Sequence, residues 1–238
     1  MSMVGWVRFW VAAMAAWCCW YQAGCRPSES HPQQAPQHAD SPASPAPGAP
    51  KPAAVADSRP VIACFGDSLT AGQGLDPGQS FPDLLQKDLD SRGLRYRVAN
   101  MGVSGDTTQD GLERVSLVVA ERPAIVLLEL GANDGLRGQP VAGTEANLSQ
   151  MIERLQKSGA KVVLAGITLP PNYGPTYIQQ FDRMYRDLAA RYKLTTIPFL
   201  LAGVGGNPQF MQRDGLHPNA QGTRIVEATV FKTLEPLL

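Results

Sequence analysis

Residues 60–238 contain little of what a metal-, thiol- or phosphate-dependent activity requires. Of the four cysteines and three histidines in the chain, only Cys64 and His217 fall within this stretch. No disulfide can therefore form inside it, and no cluster of residues has zinc-ligand spacing. Cys64 lies in an apolar run, where a buried and unreactive thiol is expected. No glycine-rich loop is followed by a lysine that could hold phosphate, so acid–base chemistry in this stretch has one imidazole, that of His217.

Neither positive nor negative charge is in excess. The chain carries 21 basic and 21 acidic residues, which gives no basic surface for a polyanion, and we expect no nucleic-acid partner. Residues 60–238 are numerous enough for one domain with a sizeable core.

The first 25 residues have the pattern of an export signal. Arg8 is their only charged residue, and an apolar run of thirteen follows it at 9–21. A membrane span needs ~20 apolar residues, whereas the shorter run suits a secretory signal. Gln22-Ala-Gly-Cys25 resembles a bacterial lipoprotein processing site, although Gln22 stands where an aliphatic residue is usual. We expect a lipoprotein-type signal peptide with Cys25 as the lipidation site; cleavage elsewhere or an uncleaved anchor are the alternatives.

Residues 26–59 have the composition of a disordered linker. Eight of the 34 are proline, and no helix or strand periodicity is present, so the segment cannot bury enough apolar surface to fold. A proline-rich chain extends ~3.1 Å per residue, and this one would reach roughly 100 Å. We expect a tether between a membrane anchor and the domain at 60–238.

The central motif of the domain lies at residues 60–74. The apolar run from Val61 to Phe65 suits a strand buried on both faces, as in a parallel sheet. Gly66 ends the run, which places Ser68 just beyond the carboxyl end of the strand, where open α/β sheets bind ligands. Ser68 could present its hydroxyl to a substrate, or it could be a helix N-cap; this stretch alone does not separate the two.

Helix and strand patterns alternate along the rest of the domain. We expect five strands, near 61–65, 96–99, 124–130, 161–167 and 194–197. The helices are expected near 80–93, 108–122, 144–159 with Thr144 as N-cap, 177–192 and the C-terminus. This alternation predicts an α/β domain with a mostly parallel five-stranded sheet and helices on both faces.

Parallel strands bring several polar residues to one edge of the sheet. Ser68, Gly105 and Asn133 follow the first, second and third strands, and Asp214 and His217 follow the fifth. Because all parallel strands point the same way, we expect these residues to converge.

This set of residues can perform acyl transfer. His217 could take the proton of the weakly nucleophilic Ser68 hydroxyl, and Asp214 could orient the ring and stabilise the imidazolium. The oxyanion needs fixed donors, for which the N–H groups of Ser68 and Gly105 and the amide of Asn133 are available; losing one donor typically costs ~3–4 kcal/mol of barrier.

Each of these residues also has a purely structural interpretation. An isolated Asp-x-x-His is usually a turn with an Asx cap, Gly105 could be a turn glycine, and 133–135 could be a loop turn. Glu129 could pair with Arg137 or another base, and Asp67 is expected to organise the serine turn rather than to react. Their position at four strand ends is difficult to explain as coincidence.

The segment Gly66-Asp-Ser-Leu69 resembles the first motif block of the GDSL, or SGNH, hydrolases. The lettered residues of that family correspond to Ser68, Gly105, Asn133 and His217, with Asp214 completing the triad. The resemblance covers essentially all of residues 60–238 and is closest to the thioesterase I/lysophospholipase L1/arylesterase branch. Further similarity to that branch lies at 104–111, 129–138, 169–174 and 211–218.

The resemblance implies a three-layer α/β/α flavodoxin-like fold and a periplasmic or surface location. It also implies broad hydrolysis of aryl esters, lysophospholipids and acyl thioesters without metal or other cofactor. We expect the protein to be a monomer. Loop 168–177 resembles the mobile loop that lines the acyl pocket in the family, which suggests Leu169, Pro170, Asn172 and Tyr173 as substrate-binding residues. Ala132, where relatives often carry glycine, adds one methyl group beside the expected oxyanion donors.

Two other functions remain open at this point. A carbohydrate O-deacetylase would use the same chemistry, although the sequence shows no aromatic platform for a sugar. A catalytically silent lipoprotein could use the fold to bind lipid, although a complete triad argues against it.

Overall fold

The computed structural model describes residues 57–238 of the chain. The expected signal peptide, Cys25 and the linker up to residue 56 lie outside these residues, so those expectations stay predictions. The strands are β1 (Val61–Gly66), β2 (Arg97–Gly102), β3 (Ile125–Glu129), β4 (Lys161–Ala165) and β5 (Thr195–Ile197). The helices are α1 (Ser68–Ala71), α2 (Phe81–Ser91), α3 (Thr108–Ala120), α4 (Ala132–Leu136), α5 (Val141–Lys157), α6 (Pro175–Tyr192) and α7 (Ala220–Leu234). Within 57–238 no helix combines the length and apolarity that a membrane crossing needs.

The five strands form one sheet in the order β2-β1-β3-β4-β5, and every neighbouring pair is parallel. The central strands β1 and β3 are buried along their whole length, as strands covered by helices on both faces must be. The α/β expectation is confirmed, and the sheet is parallel throughout. Gly66 pairs with Gly102 of β2 and with Glu129 of β3, so three strands end level with one another below Ser68.

Helices cover both faces of the sheet and complete three layers. Ile62 and Cys64 of β1 face a core formed with α2 and α7. Ala63 and Phe65 face the opposite core, formed with α3, α5 and α6. This alternation follows from the period of two in a strand. Cys64 is fully buried, as expected, and burial raises the pKa of its thiol far above the usual range.

Local capping defines where the helices near the site begin. Ser80 accepts a hydrogen bond from the N–H of Asp83 at the start of α2, and Thr107 accepts one from Asp110 at the start of α3. In both cases the aspartate bonds back to the cap residue, which is a capping box.

The start of α5 differs from the sequence expectation. The helix begins at Val141 after Pro140, and the prediction that Thr144 is its N-cap is wrong. The hydroxyl of Thr144 instead donates to the buried carboxylate of Asp134. Proline suits the beginning of a helix because the N–H it lacks would have no partner there. Pro140, and not Thr144, therefore marks the start of α5.

Candidate active site

The ends of the parallel strands meet around one cavity of about 560 Å³. Ser68, Gly105, Asn133 and His217 all line it. The structure thus brings together the residues that were expected to converge.

Ser68, His217 and Asp214 form a continuous hydrogen-bonded chain. The His217 Nε2 atom lies 2.9 Å from Ser68 Oγ, and Nδ1 lies 2.6 Å from Asp214 Oδ2. Because an ionised carboxylate only accepts hydrogen bonds, we assign the ring proton to Nδ1, which leaves the lone pair of Nε2 facing the serine.

The Asp214 carboxylate is fixed by the turn that carries His217. Its Oδ1 atom accepts hydrogen bonds from the backbone N–H groups of Leu216 and His217, at 2.9 and 3.1 Å. Partial burial alone would raise the pKa of Asp214, but the bonds from the His217 ring and from these N–H groups outweigh it and hold the pKa at about 2. Asp214 is therefore both the Asx cap that the structural interpretation foresaw and the partner of the imidazole.

A tertiary contact joins the histidine turn to the serine turn. The backbone N–H of Gln212 donates to the carbonyl of His217 at 2.8 Å. The Gln212 side-chain amide donates to the carbonyls of Pro218 and Gln73, at 2.9 and 2.7 Å. Gln73 lies in the turn that follows α1, so Gln212 holds the two halves of the triad in register.

Ser68 is the first residue of α1, and Asp67 is the N-cap. The Asp67 carboxylate accepts a hydrogen bond from the N–H of Leu69 at 3.0 Å, as was expected of a residue that organises the turn. Gly72 ends α1 in the left-handed conformation, and its N–H donates to the carbonyl of Ser68. Hydrogen bonds therefore fix both ends of the single helical turn that begins with the candidate nucleophile.

Two of the expected oxyanion donors, Gly105 and Asn133, lie on chain segments that contact each other. Gly105 has a φ of +89°, which favours glycine, and its carbonyl accepts a 2.9 Å hydrogen bond from Arg137. The Asn133 side-chain amide donates to the carbonyl of Asp106 at 3.0 Å and to the Asp67 carboxylate at 3.3 Å. The segment 133–135, expected as a possible loop turn, lies within the short helix α4.

Asp134, which sequence patterns did not single out, connects these two segments. Its buried carboxylate accepts hydrogen bonds from the N–H and the hydroxyl of Thr108, at 2.8 and 2.5 Å. The start of α3 is thereby fixed to α4, which sets the position of Gly105 relative to Asn133.

Arg114 is a second residue that the sequence did not reveal. Its guanidinium contacts the Asp106 carboxylate at 2.6 Å and donates to the carbonyls of Met101 and Gly66, at 2.8 and 2.9 Å. It also lies 4.6 Å from the centre of the Phe65 ring. One side chain therefore braces the ends of β1 and β2 together with the loop that carries Gly105.

Glu129 has partners other than the one suggested from the sequence. It is fully buried, and its Oε2 atom accepts hydrogen bonds from the Thr70 hydroxyl at 2.8 Å and the Asp67 N–H at 3.3 Å. The suggested pairing with Arg137 is wrong, because that guanidinium bonds to the carbonyl of Gly105. Burial, followed by repulsion from Asp67, raises the pKa of Glu129 well above its usual range.

The four expected substrate-binding residues divide into two pairs. Leu169 and Pro170 line the cavity, whereas Asn172 and Tyr173 are not part of its wall. The chain turns through a 3₁₀ segment at Pro171–Tyr173, and the Tyr173 hydroxyl donates to the carbonyl of Leu136 at 2.8 Å. This bond directs the tyrosine onto the end of α4 and away from the cavity.

Several apolar wall residues come from segments that the sequence analysis left without a role. Phe199, Leu201 and Met211 lie in the connection after β5, and Leu216 lies between Asp214 and His217. Apart from Asp67 and His217, no residue along this wall of the described domain carries an ionisable side chain. Residues 57–238 contain no group of three or more His, Cys, Asp or Glu placed to hold a metal ion.

Known proteins resemble this chain over most of its length. The model of the "GDSL-like Lipase/Acylhydrolase family" matches residues 64–225. The chain is 50% identical to Esterase TesA of Pseudomonas aeruginosa, over 75% of this chain and 89% of that protein. It is 42% identical to an arylesterase of Vibrio mimicus, over 71% and 86% of the two chains.

Identity to Thioesterase 1/protease 1/lysophospholipase L1 of Escherichia coli is 37%, over 78% of this chain and 87% of that protein. A crystal structure of TesA superimposes with a TM-score of 0.73 at 47% identity, covering 75% of this chain and 99% of that one.

Proposed function

Because the chain belongs to the GDSL-like lipase/acylhydrolase family, we propose that it is a serine esterase and thioesterase that works through an acyl-enzyme on Ser68. The observation that carries this proposal is the hydrogen-bonded chain from Ser68 through His217 to Asp214.

The first half of the reaction forms the acyl-enzyme. His217 Nε2 takes the proton of Ser68 Oγ as the oxygen attacks the acyl carbon, and Asp214 stabilises the imidazolium that results. The oxyanion is stabilised by the N–H groups of Ser68 and Gly105 and the amide of Asn133. The imidazolium then gives its proton to the departing alkoxide or thiolate.

The second half of the reaction releases the acid. His217 takes a proton from water, the hydroxide attacks the acyl carbon, and Ser68 leaves with the proton returned by the imidazolium. No step requires a metal or another cofactor.

The cavity supports substrates with an apolar acyl group. Its wall is formed largely by aliphatic, proline and aromatic side chains, and no cation lies along it to bind a charged acyl tail. Aryl esters, acyl thioesters and lysophospholipids fit this description, because their alcohol, thiol or head group can remain in solvent. An acetylated sugar would leave most of the apolar wall unused, so we place O-deacetylation second.

Substrate profiling of the purified domain tests the proposed function. We expect hydrolysis of p-nitrophenyl esters and of acyl-coenzyme A, and a loss of about 10⁴-fold or more in kcat for Ser68→Ala. A folded wild-type protein that is inactive on aryl esters, lysophospholipids and acyl thioesters of longer acids but active on acetylated saccharides would favour the deacetylase. Inactivity on every substrate, with retained lipid binding, would favour the lipid-binding lipoprotein.

We further propose that the protein is exported and attached to a membrane through lipid on Cys25. The support is the leader pattern at 1–25 and the proline-rich segment at 26–59. More than one acyl chain on the cysteine would give stable attachment, which a single chain does not. Mass spectrometry of the mature N-terminus should show acylated Cys25, and Cys25→Ser should release the protein from the membrane fraction. An unmodified N-terminus at another residue would refute the proposal. The expected monomer stays a prediction, which light scattering of the domain would test.

A further inference from the structure

Two carboxyl groups are buried directly behind the candidate nucleophile. Glu129 is 0% exposed and Asp67 is 1% exposed. Glu129 ends β3, and Asp67 follows Gly66, the residue of β1 that pairs with Glu129. Only glycine fits at position 66, because a Cβ atom there would collide with the Glu129 carboxyl group. The backbone is therefore built to admit this side chain.

Neither carboxyl group has a cationic partner among residues 57–238. Glu129 Oε2 accepts hydrogen bonds from Thr70 and from the N–H of Asp67. The Asp67 carboxylate accepts them from the Leu69 N–H and the Asn133 amide. The nearby Arg114 is engaged by Asp106 and by two carbonyl groups. A pair of buried anions without a counter-charge would be strongly destabilised.

A shared proton resolves this conflict. The backbone N–H of Asp67 donates to Glu129 Oε2 at 3.3 Å, so the two buried groups lie side by side, and one of them must stay protonated to avoid a pair of adjacent anions. Glu129 Oε1 is buried and has no hydrogen-bond partner among residues 57–238, so it is the oxygen free to carry the proton. Burial raises the pKa of both groups, to about 6 for Asp67 and further for Glu129. Glu129 is then the neutral acid and Asp67 the anion.

We propose that Asp67 and Glu129 hold one proton between them and, through it, position the Asn133 amide and the Ser68 turn. Both are positioning residues, since their hydrogen bonds reach the Asn133 amide and the helix that carries Ser68. The role in catalysis rests on the proposed function, whereas the shared proton itself does not.

Other titratable and charged groups also surround the pair. Cys64 of β1 and Tyr185 of α6 face Glu129, and burial raises the pKa of both, so they stay neutral at neutral and mildly alkaline pH. Asp106 and His217 act on Asp67 from their loops, and Arg114 of α3 reaches the carbonyl of Gly66. His217 acts as a base in the mechanism, and a base is not inactivated by losing a proton, so a loss of activity at alkaline pH cannot come from His217.

Removing the shared proton has a defined consequence. Two adjacent anions would repel each other, and Asp67 would move together with the Asn133 amide and the N-cap of α1. Misplacement of catalytic groups by about 1 Å can cost about 100-fold in rate. We therefore expect kcat to fall on the alkaline side while KM changes little, because Asn133 acts mainly on the oxyanion.

Kinetics of Glu129 variants test the positioning role. Glutamine has nearly the same shape and a permanent N–H donor, so Glu129→Gln should move the alkaline limb of kcat by more than about one pH unit or remove it. Glu129→Ala should lower kcat by about tenfold to 100-fold. Glu113→Gln, which changes an exposed carboxylate of α3, is the matched control and should leave the profile unchanged. An alkaline limb that is the same in wild type and Glu129→Gln would overturn the positioning role.

Infrared difference spectroscopy tests the proton directly, without reference to activity. At neutral pH the wild-type domain and Ser68→Ala should both show the C=O stretch of a buried protonated carboxylic acid, and Glu129→Gln should lack it. If Glu129→Gln does not fold, the wild-type spectrum alone decides, because absence of that band at neutral pH would overturn the shared proton. Because Ser68→Ala is expected to be inactive, the band in that variant would support the shared proton independently of the proposed function.

Discussion

The side-chain amide of Gln212 donates to the backbone carbonyl of Gln73 at 2.7 Å, across 139 positions of the sequence. This contact joins the turn that carries His217 to the loop that follows Ser68. The distance between the imidazole and the serine hydroxyl therefore depends on a residue that takes no part in the chemistry.

Replacing Gln212 should consequently impair turnover more than substrate binding. Gln212→Glu keeps the size but exchanges both donor bonds for an acceptor, and we expect kcat to fall by about tenfold or more with a smaller change in KM, because the triad loosens. Steady-state kinetics measure this. Gln209→Glu, in the same loop but exposed, is the control, and equal losses in the two variants would contradict the assigned role.

Arg114 should be a major contributor to stability. Arg114→Met removes its hydrogen bonds to two carbonyls and leaves Asp106, whose side chain is only 12% exposed, without its partner. Breaking a largely buried pair in this way costs about 3–5 kcal/mol, and urea unfolding should show it. Arg191→Met removes an ion pair at a side chain that is 51% exposed and should cost at most about 1 kcal/mol. A loss at Arg114 no larger than at Arg191 would refute the bracing role.

Much of this site could be predicted from the sequence, and the reason is topological. Ser68, Gly105, Asn133 and His217 follow strands of one parallel sheet, so their meeting at one edge required no knowledge of side-chain contacts. Arg114 and Asp134 could not be identified in this way, because their roles depend on bonds to loops distant in sequence. The pairing of Glu129 with Asp67 likewise depends on strand register. Residues 199–206 have no helix or strand periodicity, and so their place in the cavity wall was not predicted.

The pH dependence of kcat/KM should show no ionisation of Asp214 in the working range. The pKa of Asp214 is held at about 2, below its usual value, so the stabilising contribution of this carboxylate is complete above its usual pKa and is lost only as the pH falls towards 2. Asp214 therefore adds no limb between pH 4 and 9.

Asp214→Asn should lower kcat by about 10⁴-fold, because the amide no longer fixes the ring tautomer that leaves Nε2 free to accept the Ser68 proton. Steady-state kinetics of the folded variant measure this, and an unchanged kcat would mean that Asp214 does not orient the base.

Phe199 should limit the length of the acyl group. A second cavity of about 500 Å³ shares Ile167, Thr168 and Phe199 with the cavity at Ser68. Phe199→Ala would join the two, and each further buried methylene is worth about 0.8 kcal/mol. We expect the kcat/KM ratio of dodecanoyl to butanoyl esters to rise by about tenfold or more. Phe210→Ala is the control, because Phe210 packs against the same hydrophobic core as Phe199 but lies outside both cavities. This variant should leave the ratio unchanged, and a rise in both variants would contradict the prediction.

Labelling with a fluorophosphonate tests most directly whether Ser68 is a nucleophile activated by His217. We expect one adduct per chain, mapped by mass spectrometry to the peptide that contains Ser68, formed at a rate that matches the loss of esterase activity. We also expect no adduct in Ser68→Ala and very slow labelling in His217→Ala. An adduct on another residue, or full esterase activity in folded Ser68→Ala, would contradict the assignment of Ser68 as nucleophile.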